Sequence, residues 1–204
     1  MLAVALLLAL IAGGAAVAYQ AAARERDYRA LVGRGDAALA EGKTFDAIEA
    51  YSGALALKDD SMIAYLKRGE TYRRRGDFGN ALKDLRIASR LDPAAERPAE
   101  LLGDVNYSLE RYGKAVESYR QFVDLDDRNP KVVYKLGLAQ FRAGDATGAI
   151  ATLRKAVALD GRFAEAHYLL GLCLKSQHQP AEALRALEQA NRLSPGLIAP
   201  REAL

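Results

Sequence analysis

Small apolar residues recur along this chain at a fixed interval. Glycine holds one register at every 34th residue, and alanine holds a second register twelve residues behind it: Gly35, Gly69, Gly103, Gly137, Gly171 and Ala47, Ala81, Ala115, Ala149, Ala183. Because the interval contains no insertion over ten matched positions, it indicates a repeat array. In such an array each unit buries its apolar face against its neighbours.

The pattern inside each interval predicts two antiparallel helices. Placing the glycine at position 8 gives units at 28–61, 62–95, 96–129, 130–163 and 164–197, with helices at about positions 1–14 and 17–30. Glycine at position 15 (Gly42, Gly76, Gly144) ends the first helix, since it adopts a left-handed conformation without penalty. Asp77 and Asp145 follow as N-caps, and His178 takes the turn position of the last unit.

The small residues have a packing role in this pattern. Glycine at position 8 and alanine at position 20 let the two helices of a unit approach closely. Larger side chains at position 24 fill the remaining space: Tyr51, Leu85, Tyr119, Leu153 and Leu187. We therefore expect a core that repeats from unit to unit.

The N-terminal segment is apolar and carries no charged side chain before Arg24. Residues 2–23 would extend about 33 Å as a helix, which predicts a transmembrane anchor over 1–23, joined by a charged linker at 24–27. A signal peptide is the alternative, because Ala16-Val17-Ala18 is similar to a cleavage site. The arginines from Arg24 to Arg34 favour a cytoplasmic position for the repeats, with the exported side left open.

Composition argues against several classes of function. The net charge of +3 over 204 residues is too small to indicate nucleic-acid binding. One cysteine, Cys173, allows no internal disulfide, and two histidines without ligand spacing indicate no metal site. No phosphate loop or nucleophile motif occurs in the sequence, so we expect no catalytic residue, no cofactor and no enzymatic activity.

At this point the repeat resembles a known family. A 34-residue helix-turn-helix with glycine at position 8, alanine at 20 and 27, tyrosine or leucine at 24 and proline at 32 is similar to the tetratricopeptide repeat. The resemblance implies an all-α fold, a right-handed superhelical solenoid of five helix pairs behind the N-terminal apolar helix.

The resemblance also implies a function. Tetratricopeptide domains bind a partner peptide or protein along the concave surface formed by the first helix of each unit, where positions 2, 5, 9, 12 and 13 face the ligand. The chain is therefore expected to be a membrane-anchored adaptor or scaffold. Its candidate partner-binding residues are Glu70, Arg73, Arg74, Asp104, Lys131, Tyr134, Leu138, Phe141, Arg142, Tyr168 and Leu172.

A second function is compatible with the same pattern. Solenoids normally end in a polar capping helix, but only a short tail, 198–204, follows the last unit. The alternative is a structural assembly factor that forms homo-oligomers by stacking through this repeat.

Overall fold

A computed structural model of the chain describes the backbone of residues 2–196 and the side chains of residues 13–196. The predicted tail at 198–204 lies outside the described residues. Over residues 2–196 the chain forms ten helices and no strand: α1 (Leu2–Ala40), α2 (Thr44–Leu57), α3 (Met62–Arg74), α4 (Phe78–Leu91), α5 (Glu96–Ser108), α6 (Tyr112–Leu125), α7 (Pro130–Arg142), α8 (Ala146–Leu159), α9 (Ala164–Ser176) and α10 (Pro180–Leu193). The all-α prediction is confirmed.

From α2 onward, every helix begins at the predicted residue and ends within one residue of the prediction. The turns have the expected geometry, since Gly42, Gly76 and Gly144 have φ of 75°, 79° and 87°. His178 adopts the same left-handed conformation with φ of 56°, as predicted, and Glu110 does so too. The carboxylates of Asp77 and Asp145 cap α4 and α8 by accepting from the backbone N–H of Asn80 and Gly148.

Apart from the 34-residue repeats, the helices group into two larger compact units. From here on we call these larger units unit 1 (Met1–Asp92) and unit 2 (Pro93–Leu204). In unit 1, α1 packs on α2, α2 on α3 and α3 on α4. In unit 2, each of the helices from α5 to α10 packs on the next along the chain, and α7 also touches α9.

The core of each unit follows the registers of small residues. Ala81, Ala115 and Ala149 are fully buried at position 20. A Cβ atom added to Gly137 would lie 2.8 Å from Leu153, and one added to Gly171 would lie 2.6 Å from Leu187. The predicted close approach of the two helices of a pair is therefore confirmed.

Helix α1 differs from the sequence-based prediction. It runs without a break from Leu2 to Ala40, so residues 24–27, expected to be a linker, lie inside a helix. Arg24 Nε donates to the carbonyl of Leu57 at 2.5 Å. Arg29 pairs with Glu25 at 2.7 Å on the same helix. The charged turn at 24–27 thus joins α1 to the end of α2.

The predicted single-pass membrane localisation is wrong. Within the described part of the chain, none of the helices combines the length and the apolar character needed to cross a bilayer. Residues 1–12, the remainder of the predicted anchor, lie outside the described side chains. The predicted membrane contact depends on this anchor, and so does the predicted cytoplasmic or exported position of the repeats. Neither is proposed further.

Candidate functional site

The first helices of the pairs in unit 2 are α5, α7 and α9, and they present six aromatic and aliphatic side chains at matching register positions. We call these side chains the inner face of unit 2: Tyr107, Tyr134, Leu138, Phe141, Tyr168 and Leu172. All six are partly buried. Five of them are candidate site residues predicted from the sequence. The sixth, Tyr107, has on α5 the repeat position that Phe141 has on α7.

Helix α7 supplies the centre of this face. Tyr134, Leu138 and Phe141 pack against a buried cluster that includes Leu153, Leu169 and others. The ring of Tyr134 lies 4.9 Å from that of Phe163, tilted by 51°. Because these side chains rest on a packed core, their exposed edges form a fixed apolar surface rather than a mobile one.

The phenol of Tyr134 stays neutral in this setting. Burial raises its pKa, and the nearby Glu165 and Tyr107 act in the same direction. Neither Tyr134 nor Tyr107 has a hydrogen bond from its hydroxyl to another described residue. Tyr107 packs edge-on against Tyr112, with ring centroids 5.3 Å apart. Both hydroxyls are therefore available to a ligand.

Glu100 and Asp104 of α5 form ion pairs with α7 and are not free for a ligand. Lys135 Nζ donates to Glu100 at 2.7 Å and to Asp104 Oδ1 at 2.8 Å. Asp104 Oδ1 also accepts from the hydroxyl of Tyr119 at 2.9 Å. Burial would raise the pKa of Glu100, but Lys135 and Arg97 outweigh it and hold the pKa below its usual value. Asp104, one of the predicted partner-binding residues, thus links α5, α6 and α7 through its carboxylate.

Two cations of α7 differ from Lys135. Lys131 and Arg142 are exposed, and neither forms an ion pair or a hydrogen bond from its side chain to another described residue. They flank the apolar centre, with Lys131 at the start of the helix and Arg142 at its last residue. Free positive charge thus lies at both ends of the apolar stretch of α7.

The three candidate residues of unit 1 lie on α3 and have a different character. Arg74 pairs with Glu70 at 3.3 Å, one helical turn away. Arg73 is partly buried, and its Nε has no hydrogen-bond partner among the described residues. This part of unit 1 is therefore polar, whereas the inner face of unit 2 is mainly apolar.

Unit 1 also contains a polar network that the sequence reasoning missed. Asp36 Oδ1 accepts from the hydroxyl of Tyr51 and from Lys67 Nζ, each at 2.7 Å. The geometry matches that of Asp104, Tyr119 and Lys135, each 68 residues further along the chain. In the sequence, an aspartate, a tyrosine and a lysine recur 68 residues apart, the length of two helix pairs. This spacing could have revealed both networks.

The lone cysteine and the histidines are not part of the inner face, although Cys173 belongs to the buried cluster beneath it. Cys173 is fully buried, and burial raises the pKa of its thiol to about 11, so the thiol stays protonated near neutral pH. His167 Nε2 lies 3.1 Å from the carbonyl oxygen of Gly161, and His178 holds the turn after α9.

Parts of the chain are similar to known tetratricopeptide-repeat proteins. The tetratricopeptide repeat family model matches residues 66–130, and the model of anaphase-promoting complex, cyclosome, subunit 3 matches residues 119–190. The chain is 36% identical over 93 residues to small glutamine-rich tetratricopeptide repeat-containing protein 2 of Mycosarcoma maydis, a match covering 46% of this chain and 26% of that protein. It is 30% identical over 103 residues to human tetratricopeptide repeat protein 12, covering 50% and 14% respectively. The chain thus spans about a quarter or less of the length of these curated relatives.

Solved structures agree on the fold. The crystal structure of MamA superimposes with a TM-score of 0.76 at 24% identity, covering 79% of this chain and 95% of MamA. That of YrrB, described as a TPR protein with an unusual peptide-binding site, gives a TM-score of 0.75 at 20% identity, covering 82% and 86%. At these identities the likeness establishes the arrangement of helices and not a shared ligand.

Proposed function

Because this chain carries tetratricopeptide repeats, we propose that it is an adaptor or scaffold that holds a segment of a partner protein on the inner face of unit 2. Proteins built from this repeat are typically interaction modules without catalytic activity. The peptide-binding site described for YrrB supports the same use of the fold.

One observation carries the proposal. Tyr134, Leu138 and Phe141 form a partly exposed apolar surface that rests on a buried cluster. Aromatic side chains held rigidly in this way contribute large contact area at low entropic cost, which is why they dominate binding hot spots. The free hydroxyls of Tyr107 and Tyr134 add hydrogen-bonding groups that can orient a bound segment.

Replacing three aromatic residues of this face tests the proposal. The variant carries Tyr134→Ala, Phe141→Ala and Tyr168→Ala, and the immobilised chain is used to capture partners from cells that express it. We expect capture to fall at least about tenfold, because truncating hot-spot side chains costs about 2 kcal/mol or more each. Far-UV circular dichroism verifies that the variant stays helical.

A matched control removes apolar side chains elsewhere in the same unit. Leu125 and Leu159 are 42% and 39% exposed at the ends of α6 and α8. The variant Leu125→Ala with Leu159→Ala should capture partners as the native chain does. Equal capture by the triple variant and the native chain would refute the proposal.

Self-association is a second candidate function, favoured by one residue. Leu184 on α10 is 53% exposed, whereas Ile150, which holds the same place on α8, is 6% exposed because it packs beneath α9. An apolar side chain exposed to this extent at the last described helix could receive a second copy of the chain. In that case the inner face would be incidental, and Leu184 would contact the neighbouring copy.

A further inference from the structure

The two units can be compared residue by residue at a spacing of two helix pairs. The aspartate, tyrosine and lysine network of unit 1 recurs in unit 2 at 68 residues' distance with the same donors and the same acceptor oxygen. Helices α3 and α7 therefore occupy equivalent places in their units. Differences between them at equivalent residues show what is special to each unit.

One such difference concerns an arginine that both helices keep. Arg74 ends α3 and Arg142 ends α7 at equivalent positions. On α3, Glu70 accepts from Arg74 at 3.3 Å. On α7 the place of Glu70 is taken by Leu138, and Arg142 has no ion pair or hydrogen bond from its side chain to the rest of the described chain. Leu138, in the place of a glutamate, extends the apolar surface and also leaves the guanidinium of Arg142 without a carboxylate partner.

The free guanidinium lies directly beside that surface. Arg142 follows Phe141 in sequence and lies one helical turn beyond Leu138. An arginine presents a planar fork of donors that matches a carboxylate in two parallel hydrogen bonds, and such charge-assisted bonds are among the strongest in proteins. The end of α7 thus pairs an apolar surface with a carboxylate-binding group.

The other charges near α7 give this face a direction. Lys135 is neutralised by Glu100 and Asp104. At the opposite end of the face, Lys131 carries a free positive charge, but the exposed carboxylate of Glu165 lies near Tyr134 and contributes to raising its pKa. A ligand carboxylate is therefore favoured at the Arg142 end and opposed by Glu165 at the Tyr134 end.

We propose that the inner face of unit 2 binds a peptide segment that combines aliphatic or aromatic residues with one acidic residue. The acidic residue lies at one end of the segment, before or after the apolar residues, and its carboxylate pairs with Arg142. This inference rests on the proposed function and names the class of partner. Tyr134 and Arg142 are about 12 Å apart along the helix, the length of about four extended residues. The acidic residue should accordingly lie about four residues from the most distant apolar residue.

Selection from a displayed library of random twelve-residue peptides on the full chain tests this inference. We expect enrichment of peptides with two or three apolar residues and an acidic residue on one side. Selected peptides should bind the Arg142→Gln variant about tenfold more weakly, as expected for the loss of one charge-assisted contact. Arg120→Gln is the matched control, since Arg120 is an exposed arginine on α6 that lies outside the inner face, and it should bind like the native chain.

A second variant reproduces the unit 1 arrangement without removing the arginine. Leu138→Glu places a carboxylate where Glu70 lies and should pair with Arg142, so acidic peptides should again bind about tenfold more weakly. Because Arg142 is exposed, the Arg142→Gln variant should fold even if Leu138→Glu does not, and thermal melting checks both.

The outcomes separate this inference from the proposed function. Selection of apolar peptides without acidic residues, lost in the triple alanine variant but not in Arg142→Gln, overturns the inference and leaves the interaction module intact. Peptides that bind the triple alanine variant and the native chain equally, or no selection above that variant, overturn both. Acidic peptides that bind Arg142→Gln as tightly as the native chain also overturn the inference.

Discussion

Gly103 shows how strongly single residues constrain this fold. A Cβ atom added there would collide with the ring of Tyr119. The ring cannot move aside, because Tyr119 is 3% exposed and its hydroxyl is held by Asp104 at 2.9 Å. Glycine is therefore needed at this register position because the two helices of a pair pack closely there.

Gly103→Ala should destabilise the chain by about 1–3 kcal/mol, the usual cost of overpacking a core. The control is Gly113→Ala on α6, where an added Cβ meets nothing within 4 Å. That substitution should be neutral or stabilising by up to about 1 kcal/mol, since alanine is the better helix former. Urea unfolding followed by circular dichroism measures both, and equal effects would contradict this explanation.

Local residue chemistry was largely predictable from the sequence. The left-handed turn at His178 and the caps at Asp77 and Asp145 follow from residue type and register alone. The pairing of Lys135 was not predictable in this way, because its partners Glu100 and Asp104 come from another helix and depend on side-chain conformation.

Pairs of helices are held together differently in the two units. In unit 1, Arg68 of α3 donates from Nε to Asp84 of α4 at 2.6 Å and from its NH2 group at 3.0 Å. Asp84 is 2% exposed and Arg68 is 19% exposed, so the ion pair is largely removed from water. At the equivalent places unit 2 has Leu136 and Thr152.

Removing one partner of this pair should be costly. Asp84→Thr leaves the guanidinium of Arg68 without its carboxylate, and we expect a loss of about 3–5 kcal/mol in the free energy of unfolding. The double variant Arg68→Leu with Asp84→Thr copies unit 2 and should recover at least half of that loss, because leucine and threonine leave no unpaired charge in this place. A double variant no more stable than Asp84→Thr, measured by urea unfolding, would show that the ion pair itself is needed.

At the scale of helices, the fixed interval predicted nine of the ten described helices to within one residue, and α1 was the exception. The apolar run at the N-terminus, taken by itself, indicates a separate anchor, whereas it is continuous with the first helix of a pair. Hydropathy alone could not reveal this, because it does not show that Arg24 and Glu25 of α1 contact Leu57 and Lys58 at the end of α2.

For the whole molecule, the sequence predicts an interaction surface but not which part of it is free. Its candidate residues on α3 are polar, whereas those on α7 and α9 are mainly apolar, with Lys131 and Arg142 as exposed cations. The structure brings eight of them into unit 2, seven on α7 and α9 and Asp104 on α5. Asp104 is engaged within the chain, while Arg142 and the neighbouring apolar residues are available.

The most direct test of the central claim is site-specific photocrosslinking in cells that express the chain. A photoreactive amino acid is placed at Phe141 on the inner face, at Leu159 at the end of α8, or at Leu184 on α10. We predict that a partner protein is crosslinked from Phe141 and not from Leu159. Crosslinking from Leu159 with none from Phe141, or crosslinking only from Leu184 to a second copy of the chain, would contradict the account.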